Sequence, residues 1–85
     1  MSYKVEILKR AAKRLAKLPS KDYQKIKNAI RDLAINPRPQ GYLKLKGSTD
    51  KYRIRVGNYR VIYEIFDRKL IVTVVDLGHR KDIYR

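Results

Sequence analysis

The residues of this chain that are best suited to chemistry are three arginines near its middle, Arg53, Arg55 and Arg60, in the stretch YRIRVGNYR. Guanidinium groups bind phosphate through paired hydrogen bonds and keep their charge at any ordinary pH. Because their pKa lies above about 12, they are poor proton acceptors. The three arginines can therefore hold a phosphate and stabilise charge on it, while proton transfer needs another group.

The C-terminal segment GHRKDIYR supplies candidates for that second task in His79, Arg80 and Tyr84. A histidine exchanges protons near neutral pH, and a tyrosine stacks on a base or donates a hydrogen bond. These groups suit RNA cleavage without a metal, since the ribose 2′-OH must lose a proton as it attacks the phosphate. His79 is the most natural proton-transfer group, and Tyr84 or a desolvated lysine are the alternatives.

Each of these residues also has a purely structural interpretation. Alternating arginines are commonly a solvated strand face, a histidine at a strand end is commonly structural, and Tyr84 can anchor the end of the chain. An arginine at position 60 opposite Arg55 shifts the balance, because like charges that face each other across a ladder cost stability. The residues by themselves predict an anion-binding sheet face, and no paired carboxylates or metal-ligand set accompanies them.

The chain is strongly basic, with 22 Lys and Arg against 8 Asp and Glu and a formal net charge of +14. Such a charge predicts an anionic partner, with nucleic acid as the first candidate. The chain has no cysteine and its first residues lack the apolar core of a secretion signal, so a cytoplasmic protein is expected. The longest apolar run, around LIVTVV, is far shorter than the roughly 20 residues that span a bilayer, so no membrane partner is expected.

The residues before the arginines predict a strand followed by a helical hairpin. Residues 3–8 alternate in polarity and favour a strand. Apolar residues then repeat at helical spacing over residues 9–18, and again after Ser20, a predicted N-cap, until Asn36-Pro37 ends the second helix.

The Gly57-Asn58 pair is typical of a two-residue II′ hairpin turn, in which glycine supplies the positive φ. This turn predicts a register in which Arg55 faces Arg60 and the apolar residues of both strands share the other face. A further strand over residues 70–77 returns antiparallel and ends beside the arginines. On this register Arg53, Arg55, Arg60, His79, Arg80 and Tyr84 converge on the solvent-facing side of the sheet.

The predicted fold is a single α+β domain over residues 1–85, a length that allows one modest core. It consists of an N-terminal strand, a helical hairpin and a three-stranded antiparallel meander. Both helices pack on the apolar face of the sheet, because a sheet covered on one side turns its polar residues outward.

The stretch LKGSTDKYRIRVGNYRVIYEI, followed by VVDLGHRKDIYR, resembles the RelE/ParE superfamily of small bacterial and archaeal toxins, and more specifically its RelE branch. The preceding strand and two helices match in length and order, so the resemblance spans essentially the whole chain. It implies a ribosome-dependent endoribonuclease that cleaves mRNA in the decoding site without a cofactor. The partners that it implies are the ribosome with its mRNA and a cognate antitoxin, with operator DNA as a further ligand of the antitoxin complex.

The resemblance also implies roles for individual residues. Arg60 matches the family's phosphate-stabilising arginine, Arg80 an arginine proposed as acid or charge stabiliser, and Tyr84 a tyrosine that stacks near the scissile nucleotide. Relatives often carry lysine where this chain has Arg53 and Arg55, one of them proposed in proton transfer, so the base is left unassigned here. Two other functions are alternatives to this one: a ParE-like inhibitor of DNA gyrase, and a nucleic-acid-binding module without catalysis.

Overall fold

The computed structural model describes residues 2–47 and 50–79. Its elements are β1 (Lys4–Ile7), α1 (Lys9–Ala16), α2 (Ser20–Asp32), β2 (Leu43–Lys44), β3 (Lys51–Val56), β4 (Tyr59–Phe66) and β5 (Ile71–His79). The strands form one mixed sheet in the order β1-β5-β4-β3-β2. The predicted α+β class, the helical hairpin and the antiparallel meander of β3, β4 and β5 are confirmed. No helix in the described part of the chain is long and apolar enough to cross a bilayer.

Two features of the sheet were not predicted from the sequence. β1 pairs parallel with β5, so that Lys4 lies opposite Ile71. The two-residue strand β2 pairs antiparallel with β3 and covers only Tyr52 and Arg53 of it. β4 consequently lies at the centre of the sheet, with a strand on each side.

The helices form where apolar residues recur one helical turn apart. Ala11 and Leu15 are the buried residues of α1, and Ile26 and Ile30 those of α2. The predicted N-cap was wrong by one residue, because Ser20 is already helical and Pro19 precedes it without a side-chain cap.

Both helices pack on the apolar face of the sheet, as predicted. The buried core contains Ala11, Leu15, Ile26, Ile30, Leu33, Ile54, Val61, Tyr63, Ile65, Val72, Val74 and Leu77. The Tyr63 ring is fully buried, and its hydroxyl donates a hydrogen bond of 2.7 Å to the carbonyl of Pro37. This bond fastens the connector after α2 to the centre of the sheet.

The hairpin between β3 and β4 has the predicted register. Val56 pairs with Tyr59, and Arg55 pairs with Arg60. Gly57 has a φ of +60°, while the φ of Asn58 is not positive, as a II′ turn requires. The turn alone therefore fixes which residues of the two strands share a face.

The pairing of β4 with β5 contains a bulge. Tyr63 pairs with Val74 and Ile62 pairs with Asp76, so Val75 is the extra residue. A shift of one residue moves every following side chain to the other face of a strand. From Asp76 onward, the alternation of side chains along β5 is therefore reversed. The residues that face the helices there are those that would face away from them in a strand without the bulge.

Candidate functional site

Arg55 and Arg60 lie directly opposite each other at the end of the hairpin, and Arg53 follows on the same face opposite Ile62. Arg55 is exposed, Arg53 is half-buried, and Arg60 is only 5% exposed. The prediction of three solvent-facing arginines was therefore wrong for Arg60. Its position explains the difference, because β4 is flanked by β3 on one side and β5 on the other, whereas Arg55 lies on a strand that β2 leaves uncovered at that point.

The hairpin thus holds one arginine in a buried position and a second in solvent contact. Two cations held at neighbouring positions repel each other unless an anion lies between them. A phosphate bound here would meet one buried cation and one exposed cation. The arrangement suits the binding and stabilisation of a phosphate that gains negative charge.

His79 lies on the other face of the sheet. It pairs with Tyr59, whose side chain faces the helices, and the two rings meet edge to face with centroids 5.7 Å apart. The prediction that His79 joins the arginines on one face was therefore wrong. The bulge at Val75 is the cause, because without the extra residue His79 would fall on the face of Arg60.

Tyr59 connects the hairpin to the second helix. Its hydroxyl donates a hydrogen bond of 3.0 Å to Oδ2 of Asp22, and this bond raises the pKa of Tyr59 above its usual value. The sequence did not reveal Asp22 as the partner of Tyr59. No sequence signal could have done so, because the two residues are 37 positions apart and meet only when the hairpin packs on α2.

The carboxylate of Asp76, which pairs with Ile62 in the sheet, is held by the first helix. Arg14 Nη1 lies 3.3 Å from Oδ1 of Asp76, and Arg10 Nε lies 3.6 Å from Oδ2. Arg14 Nη1 also donates to the carbonyl oxygen of Leu77 at 3.3 Å. These contacts fix the last part of β5 just before Gly78, the residue that pairs with Arg60.

Arg80 and Tyr84 lie outside the described residues, so their predicted convergence with the arginines stays a prediction. Among the residues that are described, no three His, Asp or Glu side chains are grouped so that they could hold a metal ion. The described part of the site is thus made of Arg53, Arg55 and Arg60 on one face of the hairpin and of Tyr59, His79 and Asp22 on the other.

Comparison with known proteins gives a consistent result along the whole chain. A profile of the family described as "ParE toxin of type II toxin-antitoxin system, parDE" matches residues 5–84. The putative toxin RelE1 of Methanocaldococcus jannaschii is 35% identical over 88 residues, which cover 100% of this chain and 98% of that protein. The mRNA interferase toxin RelE of Escherichia coli K12 is 31% identical over 83 residues, covering 95% of this chain and 86% of that protein.

A solved structure agrees with these sequence matches. In the archaeal RelE-RelB complex from Pyrococcus horikoshii, one chain superimposes with a TM-score of 0.84 at 32% identity. The superposition covers 96% of this chain and 99% of that chain.

Proposed function

The chain belongs to the RelE/ParE family of toxins of type II toxin-antitoxin systems, and we propose that it is a ribosome-dependent endoribonuclease that cuts mRNA in the decoding site. The observation that carries the proposal is the pairing of the buried Arg60 with Arg55 at the hairpin end. This pair is suited to a phosphate whose charge increases during the reaction. The naming of the E. coli relative as an mRNA interferase supports the same activity.

In the proposed reaction the ribose 2′-OH attacks the adjacent phosphate and the 5′-oxygen of the next nucleotide leaves. Arg53, Arg55 and Arg60 hold the phosphate and stabilise the extra charge on it. A buried cation such as Arg60 is effective in this role because little reorganisation is needed when the charge develops. The cations in this mechanism belong to the protein, so the reaction does not call for a metal ion.

The proton-transfer steps need groups other than the arginines. We assign Arg80 to charge stabilisation at the leaving oxygen and Tyr84 to stacking or proton transfer. His79 faces the helices next to Tyr59, so it ranks behind Tyr84 as the group that exchanges a proton with the RNA.

The proposed partners follow from the charge and the family. The ribosome and its mRNA are polyanions that match a chain of net charge +14, and the activity would take place in the cytoplasm. The P. horikoshii relative is described in complex with RelB, which supports a cognate antitoxin for this chain. Such an antitoxin could cover the basic face with acidic side chains, and its complex with the toxin is a candidate ligand of operator DNA.

The experiment uses purified chain and ribosomes stalled on a defined mRNA, with the 5′ ends of the fragments mapped. Arg60→Ala is expected to lower the cleavage rate by about 10²- to 10³-fold, the usual cost of removing a group that stabilises transition-state charge. Arg68→Ala, an exposed residue in the turn after β4, is the matched control and is expected to cut at the wild-type rate. If the wild-type chain left the mRNA intact, the proposal would be wrong.

Inhibition of DNA gyrase is the second candidate, because the matching family profile is described as a ParE toxin. It predicts intact mRNA on the ribosome together with an accumulation of gyrase cleavage complexes on plasmid DNA. Running both assays on the same preparation decides between the two functions. A chain that bound RNA with a steep salt dependence but gave neither product would instead be a binding module.

A further inference from the structure

A cavity of about 300 Å³ lies at the end of the β3–β4 hairpin, on the side of the sheet that faces α2. We call it the turn cavity. It lies at the lower end of the size range of small-ligand sites, about 300–1,000 Å³, which suits a single nucleotide. Its chemically distinctive lining residues are Asp22, Lys25, Asn58, Tyr59 and His79.

The lining of the turn cavity combines the groups that bind single-stranded nucleic acid. Tyr59 and His79 contribute two aromatic rings on which a base can stack. Lys25 contributes a positive charge for a phosphate, and Asn58 contributes an amide that both donates and accepts hydrogen bonds. The lining of the cavity therefore contains charged, amide and aromatic groups, unlike a gap between packed core residues.

Asp22 gives the cavity a fixed hydrogen-bond acceptor. Its Oδ2 accepts the hydroxyl of Tyr59 at 3.0 Å, which orients the carboxylate. Within residues 2–47 and 50–79, the side chain of Asp22 makes this one hydrogen bond. Its other oxygen, Oδ1, can therefore accept a hydrogen bond from a ligand. An oriented carboxylate oxygen accepts from the exocyclic amino groups of adenine, cytosine and guanine, whereas uracil has a carbonyl oxygen at the equivalent position.

The turn cavity is next to the arginine pair along the chain. Val56 and Tyr59 line the cavity, and they are the immediate neighbours of Arg55 and Arg60. Successive side chains of a strand point to opposite faces, so the arginines and the cavity lie on opposite sides of the sheet at the end of the hairpin. An RNA strand that passes around Gly57-Asn58 can contact the arginines on one side and reach the cavity on the other.

Resting on the nuclease function proposed above, we propose that the turn cavity binds the base of a nucleotide adjacent to the scissile phosphate. Asp22 is the specificity-determining residue, because it accepts a hydrogen bond from an exocyclic amino group and disfavours uracil. Tyr59 is a positioning residue, since its hydroxyl holds the carboxylate through Oδ2, and one of the two perpendicular rings, Tyr59 or His79, offers its face to the base.

The test compares base frequencies around the cut on ribosomes programmed with mRNAs randomised in the decoding site, each normalised to total cleavage. Wild type is expected to select against uracil by about fivefold or more at one position next to the cut, as for one hydrogen-bonded base contact. Asp22→Asn keeps an oxygen for the Tyr59 hydroxyl but replaces the second acceptor with a donor, so this selection should be lost. Asp32→Asn, the same change in an exposed residue of the same helix, should keep it.

Unchanged base frequencies in Asp22→Asn, or no selection against uracil by the wild-type chain, would overturn the proposal. A second measurement does not depend on cleavage: the isolated chain is titrated with CMP and with UMP while the ring signals of Tyr59 and His79 are followed by NMR. CMP is expected to half-saturate these shifts at a concentration about fivefold or more below that of UMP, and Asp22→Asn should remove the difference. Equal binding of both nucleotides would reject the base-reading role even if the chain cuts mRNA, whereas selective binding without cleavage would reject only the nuclease function.

Discussion

Arg55 and Arg60 face each other across the hairpin, one exposed to solvent and the other only 5% exposed. Folding thus holds two like charges closer together than they would lie in an unfolded chain. A directly opposed pair of like charges is destabilising by roughly 0.2–1 kcal/mol. An arrangement of this kind is expected where binding, rather than stability, determines the residue types.

Replacing the exposed partner should therefore stabilise the fold. Arg55→Gln keeps most of the side-chain length but removes the charge, and we expect the free energy of unfolding to rise by roughly 0.2–1 kcal/mol in urea titrations. The gain should shrink at high salt, because the repulsion is screened. Arg68→Gln, in the exposed turn after β4, is the control and should change stability by less; an equal or larger gain there would contradict the pairwise explanation.

The two faces of the hairpin predict unequal effects on cleavage. His79→Gln should lower the rate at saturating ribosome concentration by less than about tenfold, while Arg60→Ala should lower it by about 10²- to 10³-fold. The reason is that His79 contacts Tyr59 on the helix side, away from the arginines. Single-turnover cleavage of stalled mRNA measures both. An equal loss for the two variants would mean that His79 takes part in proton transfer.

Acid stability should depend on the cluster formed by Asp67, Arg38 and Tyr3. The two terminal guanidinium nitrogens of Arg38, Nη1 and Nη2, donate to Asp67 at 3.1 and 2.8 Å, and the Tyr3 hydroxyl donates to it at 2.7 Å. The hydrogen bonds from Arg38 and then Tyr3 lower the pKa of Asp67 to about 2. Because the folded pKa lies below the unfolded value of about 3.9, the contribution is complete above that value and is lost as the pH falls towards 2.

We therefore expect Asp67→Asn to be less stable than wild type at pH 6 and to approach it as the pH is lowered. Denaturant titrations between pH 6 and pH 2 measure this difference directly. Asp32→Asn, the same substitution at an exposed residue outside this cluster, is the control for the substitution itself. A constant difference in stability between wild type and Asp67→Asn over this range would show that protonation of Asp67 is not linked to folding.

Loss of the Tyr63 hydroxyl should weaken the fold without disturbing the arginines. Tyr63→Phe leaves the buried carbonyl of Pro37 without its 2.7 Å hydrogen bond, which typically costs about 1–3 kcal/mol. Thermal and urea unfolding measure the loss. Tyr42→Phe, a more exposed ring at 39%, should change stability by less than about 0.5 kcal/mol. A similar loss of stability at both positions would mean that the hydrogen bond to Pro37 does not account for the effect of Tyr63→Phe.

Much of the fold could be predicted because it rests on local rules. The helices follow from apolar spacing, and the hairpin follows from Gly57-Asn58, which acts between adjacent residues. The partner of β1 could not be predicted, since its pairing with β5 joins Lys4 to Ile71, 67 positions away. The two residues of β2 carry too short a pattern to be recognised as a strand.

The sequence by itself determined the family, the helical hairpin and the opposition of Arg55 and Arg60, because a two-residue turn and a period of two leave one register. Only the tertiary structure decided the face of His79, the burial of Arg60 and the bond between Tyr59 and Asp22. Each of these depends on how separate elements meet: a bulge at Val75 reverses the end of β5, neighbouring strands enclose β4, and α2 packs against the hairpin. Local patterns set the strands and helices, whereas contacts between distant residues set which side chains share a site.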